Sequence, residues 1–241
     1  MMAGMDLLEG IATTRAIRRY RPDPIPEADL AAILWHASRA PSGSNRQPTR
    51  FLVLRDGPRA REAKAVLARG FRMGWGGKRS DHAFDRGSGA DPGSPKARAA
   101  QAMQSFVDRF EDTPVVVLAC IERWRKPHVS EGGSVYPACQ NLLLAARALG
   151  YGGVLSMWHG LVEDDLRPVL GIPDQVVIAA TIPLGVPEGH HGPVRRMPLA
   201  DVVYDDAWGG EAPWAVDPPG TRFAGAGPRR EARPAGPSLQ S

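Results

Sequence analysis

Three polar clusters, far apart along the chain, contain the side chains most suited to chemistry. They are Arg15 with Arg18, the polar loop of residues 42–47, and Arg195 with Arg196. Arginine carries a permanent charge on a planar fork that matches phosphate. The loop reads SGSNRQ and offers hydroxyl and amide groups to the polar edge of a heterocycle. Each cluster alone is typical of a solvated surface, but together they supply what a phosphorylated aromatic cofactor such as a flavin nucleotide needs.

A pair of glycines, Gly152 and Gly153, adds a feature that could serve the same ligand. Two glycines in succession leave the backbone bare, so that another group can approach it closely. A flat ring could lie against such a turn. The alternative is ordinary turn chemistry between a helix and a strand.

The glycines follow an apolar segment, residues 135–149, around which the rest of the chain is organised. Its strongly polar side chains are Gln140, Asn141 and Arg147. A helix with so little polar surface must be buried on most sides, by its own domain or by a partner subunit. We expect Ser134 to cap this helix, Pro137 to lie in its first turn and Gly150 to end it.

The remaining elements alternate between helices and apolar strands. Further helices are expected at residues 6–12, 27–38, 58–69, 97–110 and 163–170, and strands at 51–54, 115–121, 154–155, 175–184 and 202–204. This alternation predicts an α+β or α/β domain of three layers over residues 1–206. Residues 70–96 are glycine-rich, charged and without period, which predicts a variable loop that acts as a lid or is a poorly ordered excursion. Residues 207–241 are rich in glycine and proline and are expected to form an extended or disordered tail.

Composition excludes several classes of protein. The 241 residues carry a formal net charge of +4, which suits an anionic ligand. The sequence lacks the basic stripe interleaved with aromatic residues that nucleic-acid binding would need. Cys120 and Cys139 are expected to be buried and unpaired, and the six histidines match no metal-ligand spacing. With neither a signal peptide nor a long apolar run, we expect a cytoplasmic protein that does not enter a membrane.

Several motifs, in order over residues 11–204, resemble those of the nitroreductase family. Residues 14–26, TRAIRRYRPDPIP, resemble its N-terminal signature, and residues 40–48, APSGSNRQP, resemble its APSxxNxQPW element. Residues 139–146, CQNLLLAA, resemble its QNLLLAA helix. Residues 183–185 and 195–199 resemble its C-terminal elements. Any one of these matches would be weak, but the ordered set is specific.

The resemblance implies an FMN-dependent homodimer with each flavin at the subunit interface. It implies a three-layer α/β/α nitroreductase-like fold, with a mixed, mostly antiparallel sheet flanked by helices. By position, Arg15 and Arg196 would bind the phosphate and Arg18 would face the pyrimidine edge of the ring. Pro41, Ser42, Gly43 and Asn45 would come from the second subunit, and Gly152 or Gly153 would offer a backbone N–H near flavin N5.

The implied catalytic residues are Arg18 and Gly153. The implied cofactor-binding positions are Arg15, Ala16, Arg18, Pro41, Ser42, Gly43, Asn45, Gln47, Gly152, Gly153, Arg195 and Arg196. Two departures weaken the expected grip on the cofactor: Thr14 and Ala16 stand where the family often has Arg and Ser, and Thr49 replaces the usual Trp. No metal is implied.

The mechanism that the resemblance implies is ping-pong. NADH or NADPH would reduce the flavin and leave, and a small electron-poor acceptor such as a nitroaromatic or a quinone would then occupy the same face. The cofactor performs the redox step while the protein sets position and electrostatics. Two alternatives remain open: a flavin enzyme with another outcome (ene reduction, dehalogenation or flavin fragmentation), and a flavin-binding protein without turnover.

Overall fold

The computed structural model describes residues 5–192, 194–218 and 224–226, which fall into two units by their internal contacts. The first unit comprises Ala16–His190. The second comprises Met5–Arg15 together with the described residues from His191 onward. The predicted domain boundary at residue 206 stays a prediction.

A four-stranded sheet forms the middle layer of the first unit. Its strands are β1 (Thr49–Leu54), β2 (Val115–Glu122), β3 (Gly152–Gly153) and β4 (Val176–Gly185), in the order β1-β2-β4-β3. All three pairings are antiparallel. The continuous apolar run of β2 is buried from Val115 to Ile121, as expected for a strand covered on both faces.

Helices cover both faces of this sheet, which confirms the predicted α+β class and three-layer arrangement. They are α2 (Glu27–Ala37), α3 (Pro58–Asp81), α4 (Pro95–Asp108), α5 (Gly132–Ala148) and α6 (Glu163–Leu170). Alternate residues of β2 point to opposite faces. Val117 joins a core with α2 and α5, whereas Leu118 joins a second core with α3, α4 and α6.

The pairing of β2 with β4 contains one irregularity. Ala119 lies opposite Ala180, whereas Cys120 lies opposite Ile178, so one residue of β4 is bulged out. As a result Ile178 packs in the core beneath α3, while Ala180 packs in the core beneath α5.

The loop predicted from residue 70 onward is wrong over its first half, because α3 continues to Asp81. Phe71 and Trp75 extend its buried face. The helix keeps its glycines because of close packing: a Cβ at Gly74 would lie 2.6 Å from the Trp158 ring, and one at Gly70 would lie 2.8 Å from the Trp158 carbonyl oxygen. Packing thus outweighs the poor helix propensity of glycine, which costs about 1 kcal/mol per residue. Whether residues 70–96 act as a lid stays a prediction.

The central helix α5 begins earlier than predicted. It starts at Gly132, so Pro137 lies in its second turn, and Ser134 makes a contact with another loop instead of capping the helix. Gly150 follows the helix with φ of 88°, which confirms the predicted left-handed ending.

Two predicted strands are also wrong. Residues 152–153 pair with β4 in place of residues 154–155. Residues 202–204 form no strand and follow a 3₁₀ turn at Leu199–Asp201.

The second unit contains α1 (Leu7–Thr13), β5 (Val194–Arg196) and β6 (Ala224–Ala226). Asp6 caps α1 by accepting a hydrogen bond from the Glu9 backbone. The two strands pair in parallel, with Arg195 opposite Gly225. For the predicted tail, residues 219–223 and 227–241 lie outside the described part of the chain.

Candidate functional site

The 42–47 loop is held in an unusual backbone conformation. Ser44, Asn45 and Gln47 all have positive φ, at 52°, 51° and 53°. Asn tolerates this region, but Ser and Gln rarely adopt it, and strain of this kind clusters at functional sites. The Ser42 hydroxyl accepts a hydrogen bond from the Gln47 backbone at 2.8 Å and so closes the loop on itself. The loop is therefore a fixed display of polar groups, most of them exposed to solvent.

Ser134 at the start of α5 anchors both ends of this loop. Its hydroxyl accepts a hydrogen bond from the Gly43 backbone at 3.2 Å, and its carbonyl accepts one from the Thr49 hydroxyl at 2.9 Å. The side chain of Thr49 thus serves this anchor. The sequence suggested Ser134 only as a helix cap, so its link to a loop some ninety residues away comes from the tertiary structure.

A cleft of about 400 Å³ opens beside the loop. Its walls include Ser44 and Arg46 from the loop, Trp124 from the segment after β2, and Ser134 from α5. The segment after β2 is fixed by an ion pair in which Arg123 holds Glu131 through two nitrogens at 2.8–3.1 Å. The hydrogen bond from Arg123 lowers the pKa of the Glu131 carboxyl below its usual range. Sequence reasoning did not identify any of the residues of this segment.

Arg18 lies elsewhere in the first unit, on a second cleft of about 390 Å³. Arg19, Tyr20 and Arg109 also line this cleft. The Tyr20 ring is buried, which raises the pKa of its phenol, and the neutral hydroxyl donates to the carbonyls of Ile17 at 2.6 Å and Pro183 at 3.2 Å. These contacts fix the backbone on either side of Arg18.

The two clefts share no lining residue among those the structure describes. Within one chain, the 42–47 loop and Arg18 therefore line different clefts. This is the arrangement expected if the loop completes the site of a partner subunit, as the resemblance implied. The assembly itself stays a prediction.

Gly152 and Gly153 are buried, and both are tightly packed. A Cβ on Gly152 would lie 2.6 Å from Ile17, and one on Gly153 would lie 2.7 Å from the Pro183 carbonyl oxygen. The Gly153 carbonyl also accepts a hydrogen bond from the Ile17 backbone at 2.9 Å. Close packing within the protein is therefore enough to require both glycines. The predicted contact of Gly153 with flavin N5 is a separate expectation.

The predicted phosphate ligands belong to the second unit. Arg15 and Arg196 are both exposed there, and Arg196 ends β5. The Arg15 backbone N–H donates to His191 Nδ1 at 3.4 Å, which ties the end of the N-terminal segment to the start of the C-terminal one. Convergence of these arginines with Arg18 on one cofactor stays a prediction, as do the roles of Ala16, Pro41 and Arg195.

Two other features are absent from the described residues. These residues contain no group of three or more His, Cys, Asp or Glu side chains placed to hold a metal ion. No helix in the same residues is both long enough and apolar enough to cross a membrane.

Comparison with known proteins identifies the family. The model of the nitroreductase family matches residues 11–186. The chain is 32% identical over 202 residues to a protein named NADH dehydrogenase from Thermus thermophilus, covering 78% of this chain and 90% of the relative. It is 26% identical over 204 residues to an iodotyrosine deiodinase from Thermotoga neapolitana, covering 83% of this chain and 97% of the relative.

A solved structure supports the same assignment. The crystal structure of a protein named as a nitroreductase, in complex with FMN and from Desulfovibrio desulfuricans, has a TM-score of 0.61 and 25% identity. It matches 86% of this chain and 99% of its own. The chain belongs to the nitroreductase family, as its motifs predicted.

The residues predicted to bind FMN carry the kinds of donor that each part of this cofactor requires. Guanidinium groups at Arg15 and Arg196 suit a phosphate, and Arg18 offers a charged donor to a carbonyl edge. Asn45 and Gln47 supply amides that can both donate and accept, as the pyrimidine half of a flavin requires.

Proposed function

We propose that this FMN-dependent NAD(P)H oxidoreductase of the nitroreductase family passes electrons to small electron-poor acceptors in two half-reactions. The nicotinamide leaves after the first, and a nitroaromatic, quinone or similar acceptor enters for the second. The observation that carries the proposal is the family match over residues 11–186, which includes Arg18, the 42–47 loop and the glycine pair. Bound FMN supplies the two-electron chemistry.

Each cluster has one task in this proposal. Arg15 and Arg196 hold the phosphate, and this grip provides most of the binding energy. Arg18, fixed by the buried Tyr20 beside it, places a positive charge at the pyrimidine edge, where it stabilises negative charge. The rigid 42–47 loop orients the ring from the other subunit, and Gly153 offers its N–H toward N5.

A homodimer follows from the same reasoning. Helix α5 buries one side against the sheet, yet Tyr136 on it is 39% exposed and Gln140 is exposed as well. The loop that should orient the flavin and Arg18 line different clefts of one chain, which supports a site completed by a second chain. Obligate interfaces commonly bury more than about 2,000 Å². Sedimentation that shows a stable, FMN-loaded monomer at micromolar concentration contradicts the dimer. A cytoplasmic location remains a prediction.

The decisive test is the visible spectrum and FMN content of the purified protein. We expect a yellow protein with about one FMN per subunit. Arg15→Ala or Arg196→Ala should weaken FMN binding by about 1.5–3 kcal/mol, the range for a charge-assisted hydrogen bond. Steady-state NAD(P)H oxidation with a quinone or nitroarene then separates an enzyme from a flavin-binding protein without turnover. A colourless protein that takes up no added FMN refutes the proposal.

Dehalogenation is the second candidate outcome, because one full-length relative is named iodotyrosine deiodinase. Release of halide from an iodinated phenol, measured with the reduced protein, distinguishes this outcome from nitro or quinone reduction.

A further inference from the structure

The cleft beside the 42–47 loop holds two arginines against one tryptophan. The Cζ atoms of Arg46 and Arg125 lie 3.9 Å and 5.0 Å from the centroid of the Trp124 ring. Both distances are within the range of a cation–π contact. All three residues line the cleft, and the Trp124 side chain is 57% exposed. The indole thus holds two guanidinium groups at the wall of one cavity.

The carboxylates that line the same cleft are already paired. Glu131 binds Arg123 at 2.8 Å, and these two side chains are only 15% and 27% exposed. Glu122 binds Arg50 at 2.7 Å. Among the described residues, neither Arg46 nor Arg125 forms an ion pair with a carboxylate. Arg125 acts on Glu131 only as a nearby charge that, after the hydrogen bond from Arg123, helps to lower the pKa of that carboxyl.

The cleft therefore carries an excess of positive charge. Because the two Cζ atoms lie 3.9 Å and 5.0 Å from one ring centroid, they are separated by at most about 9 Å, which is within the Debye length of about 10 Å at 0.1 M salt. Their mutual repulsion is incompletely screened, and an anion placed between them relieves it. The first turn of α5, with Gly133 and Ser134, also lines the cleft, and a helix N-terminus favours negative charge.

We propose that this cleft is an anion subsite that binds the acidic group of a substrate whose other end reaches the flavin. The identity of the reaction rests on the proposed function, but the anion site stands on the geometry above. A guanidinium fork donates hydrogen bonds to carboxylate and phosphate oxygens alike. Two sources supply such a group: an acid on an aromatic acceptor, or the additional phosphate that distinguishes NADPH from NADH. Arg46 belongs to the 42–47 loop, so a ligand anchored here lies beside the groups expected to orient the flavin.

Kinetics with matched substrate pairs test the proposal. The pairs are 4-nitrobenzoate with 4-nitrobenzyl alcohol, and NADPH with NADH. In a mechanism of two half-reactions, kcat/KM for each substrate reports its own half-reaction. We expect Arg125→Gln to lower kcat/KM about tenfold for the acidic member of one pair and less than twofold for its neutral counterpart. Arg125→Lys should give an intermediate loss, because it keeps the charge but loses the fork.

Arg59→Gln is the matched control, since it removes one exposed positive charge from α3, outside the cleft. A selective loss for 4-nitrobenzoate assigns the subsite to the acceptor, and a selective loss for NADPH assigns it to the reductant. Equal effects on both members of both pairs, or the same effects in the Arg59→Gln variant, overturn the proposal.

Calorimetric titration of the purified protein with 4-nitrobenzoate, and separately with NADP⁺, gives a readout that needs no turnover, because NADP⁺ carries the additional phosphate but no hydride. Binding of the ligand that occupies the subsite should weaken about tenfold in Arg125→Gln and also when the salt concentration is raised, because both remove electrostatic attraction. If the binding of neither ligand depends on Arg125, while turnover is normal, the subsite is refuted and the proposed function is not. Selective binding without turnover of any acceptor supports the subsite and refutes the proposed function.

Discussion

Gly153 offers a sharp test of how the short strand β3 is packed. A Cβ added to it would lie 2.6 Å from Leu184 Cδ2, 2.7 Å from the Pro183 carbonyl oxygen and 3.1 Å from Leu143 Cδ2. Side chains can yield by rotation, but the carbonyl belongs to β4, which is paired on both sides. The same carbonyl accepts the Tyr20 hydroxyl. Gly153→Ala must therefore displace β3 or disturb this bond.

The expected cost follows from these contacts. Overpacking costs about 1–3 kcal/mol, and a backbone contact places this site at the upper end. Alanine also restricts the unfolded chain, which offsets about 0.4–1 kcal/mol. The net loss is about 2 kcal/mol. For a chain of this size each kcal/mol shifts Tm by about 2–4 °C, so Tm should fall by about 4–8 °C.

The assay is thermal unfolding followed by circular dichroism, at saturating FMN and again after FMN removal. Both conditions are needed because a bound ligand raises the apparent stability. Gly160→Ala is the control: a Cβ there meets nothing within 4 Å, so its effect should stay within about 0.5 kcal/mol. If Gly153→Ala unfolds at the control temperature without FMN, the packing argument is refuted. A loss seen only with FMN present would instead assign the glycine to cofactor binding alone.

Three further predictions concern single side chains. Arg18→Ala should lower the flavin reduction potential and slow reduction by NAD(P)H more than it weakens FMN binding, because a cation at the ring edge stabilises added negative charge. Photoreduction titration measures the potential and stopped-flow reduction measures the rate; if both are unchanged, Arg18 has no catalytic role. Burial lowers the pKa of His159 below its usual 6.5, so the unfolded chain binds the proton more tightly and the free energy of unfolding should fall as the pH drops through 6.5. Urea unfolding measured at several pH values should show that this dependence is lost in His159→Gln and kept in the control variant His82→Gln. Ser134→Ala removes the acceptor for the Gly43 backbone N–H and should weaken FMN binding by about 0.5–1.5 kcal/mol. Amide hydrogen exchange in the 42–47 loop should become faster, and an unchanged exchange rate would show that Ser134 does not anchor the loop.

Sequence reasoning succeeded where the pattern is local. The apolar run at residues 115–121 forms a buried strand because burial on both faces leaves no polar position to fill. The end of α5 at Gly150 follows from a backbone conformation that glycine adopts readily. The ordered motifs identified the family, and with it the fold. The proposed roles of Arg15 and Arg18 rest on the same motifs.

The errors arose where distant residues decide local structure. Gly70 and Gly74 favour a loop by propensity, yet the structure keeps them helical because Trp158, more than eighty residues away, packs against them. Distant residues also decide which residues form β3: Gly152 and Gly153 pair with Gly185 and Leu184 of β4, whereas residues 154–155, the predicted strand, do not.

The sequence by itself determined the apolar strands, the terminating glycines and the family motifs, because each depends on neighbouring residues or on an inherited pattern. Only the tertiary structure decided that Ser134 anchors the 42–47 loop and that Arg46 and Arg125 meet on Trp124. It also decided that the loop and Arg18 border different clefts of one chain. These are contacts between segments far apart in the chain, and no local propensity or spacing specifies them.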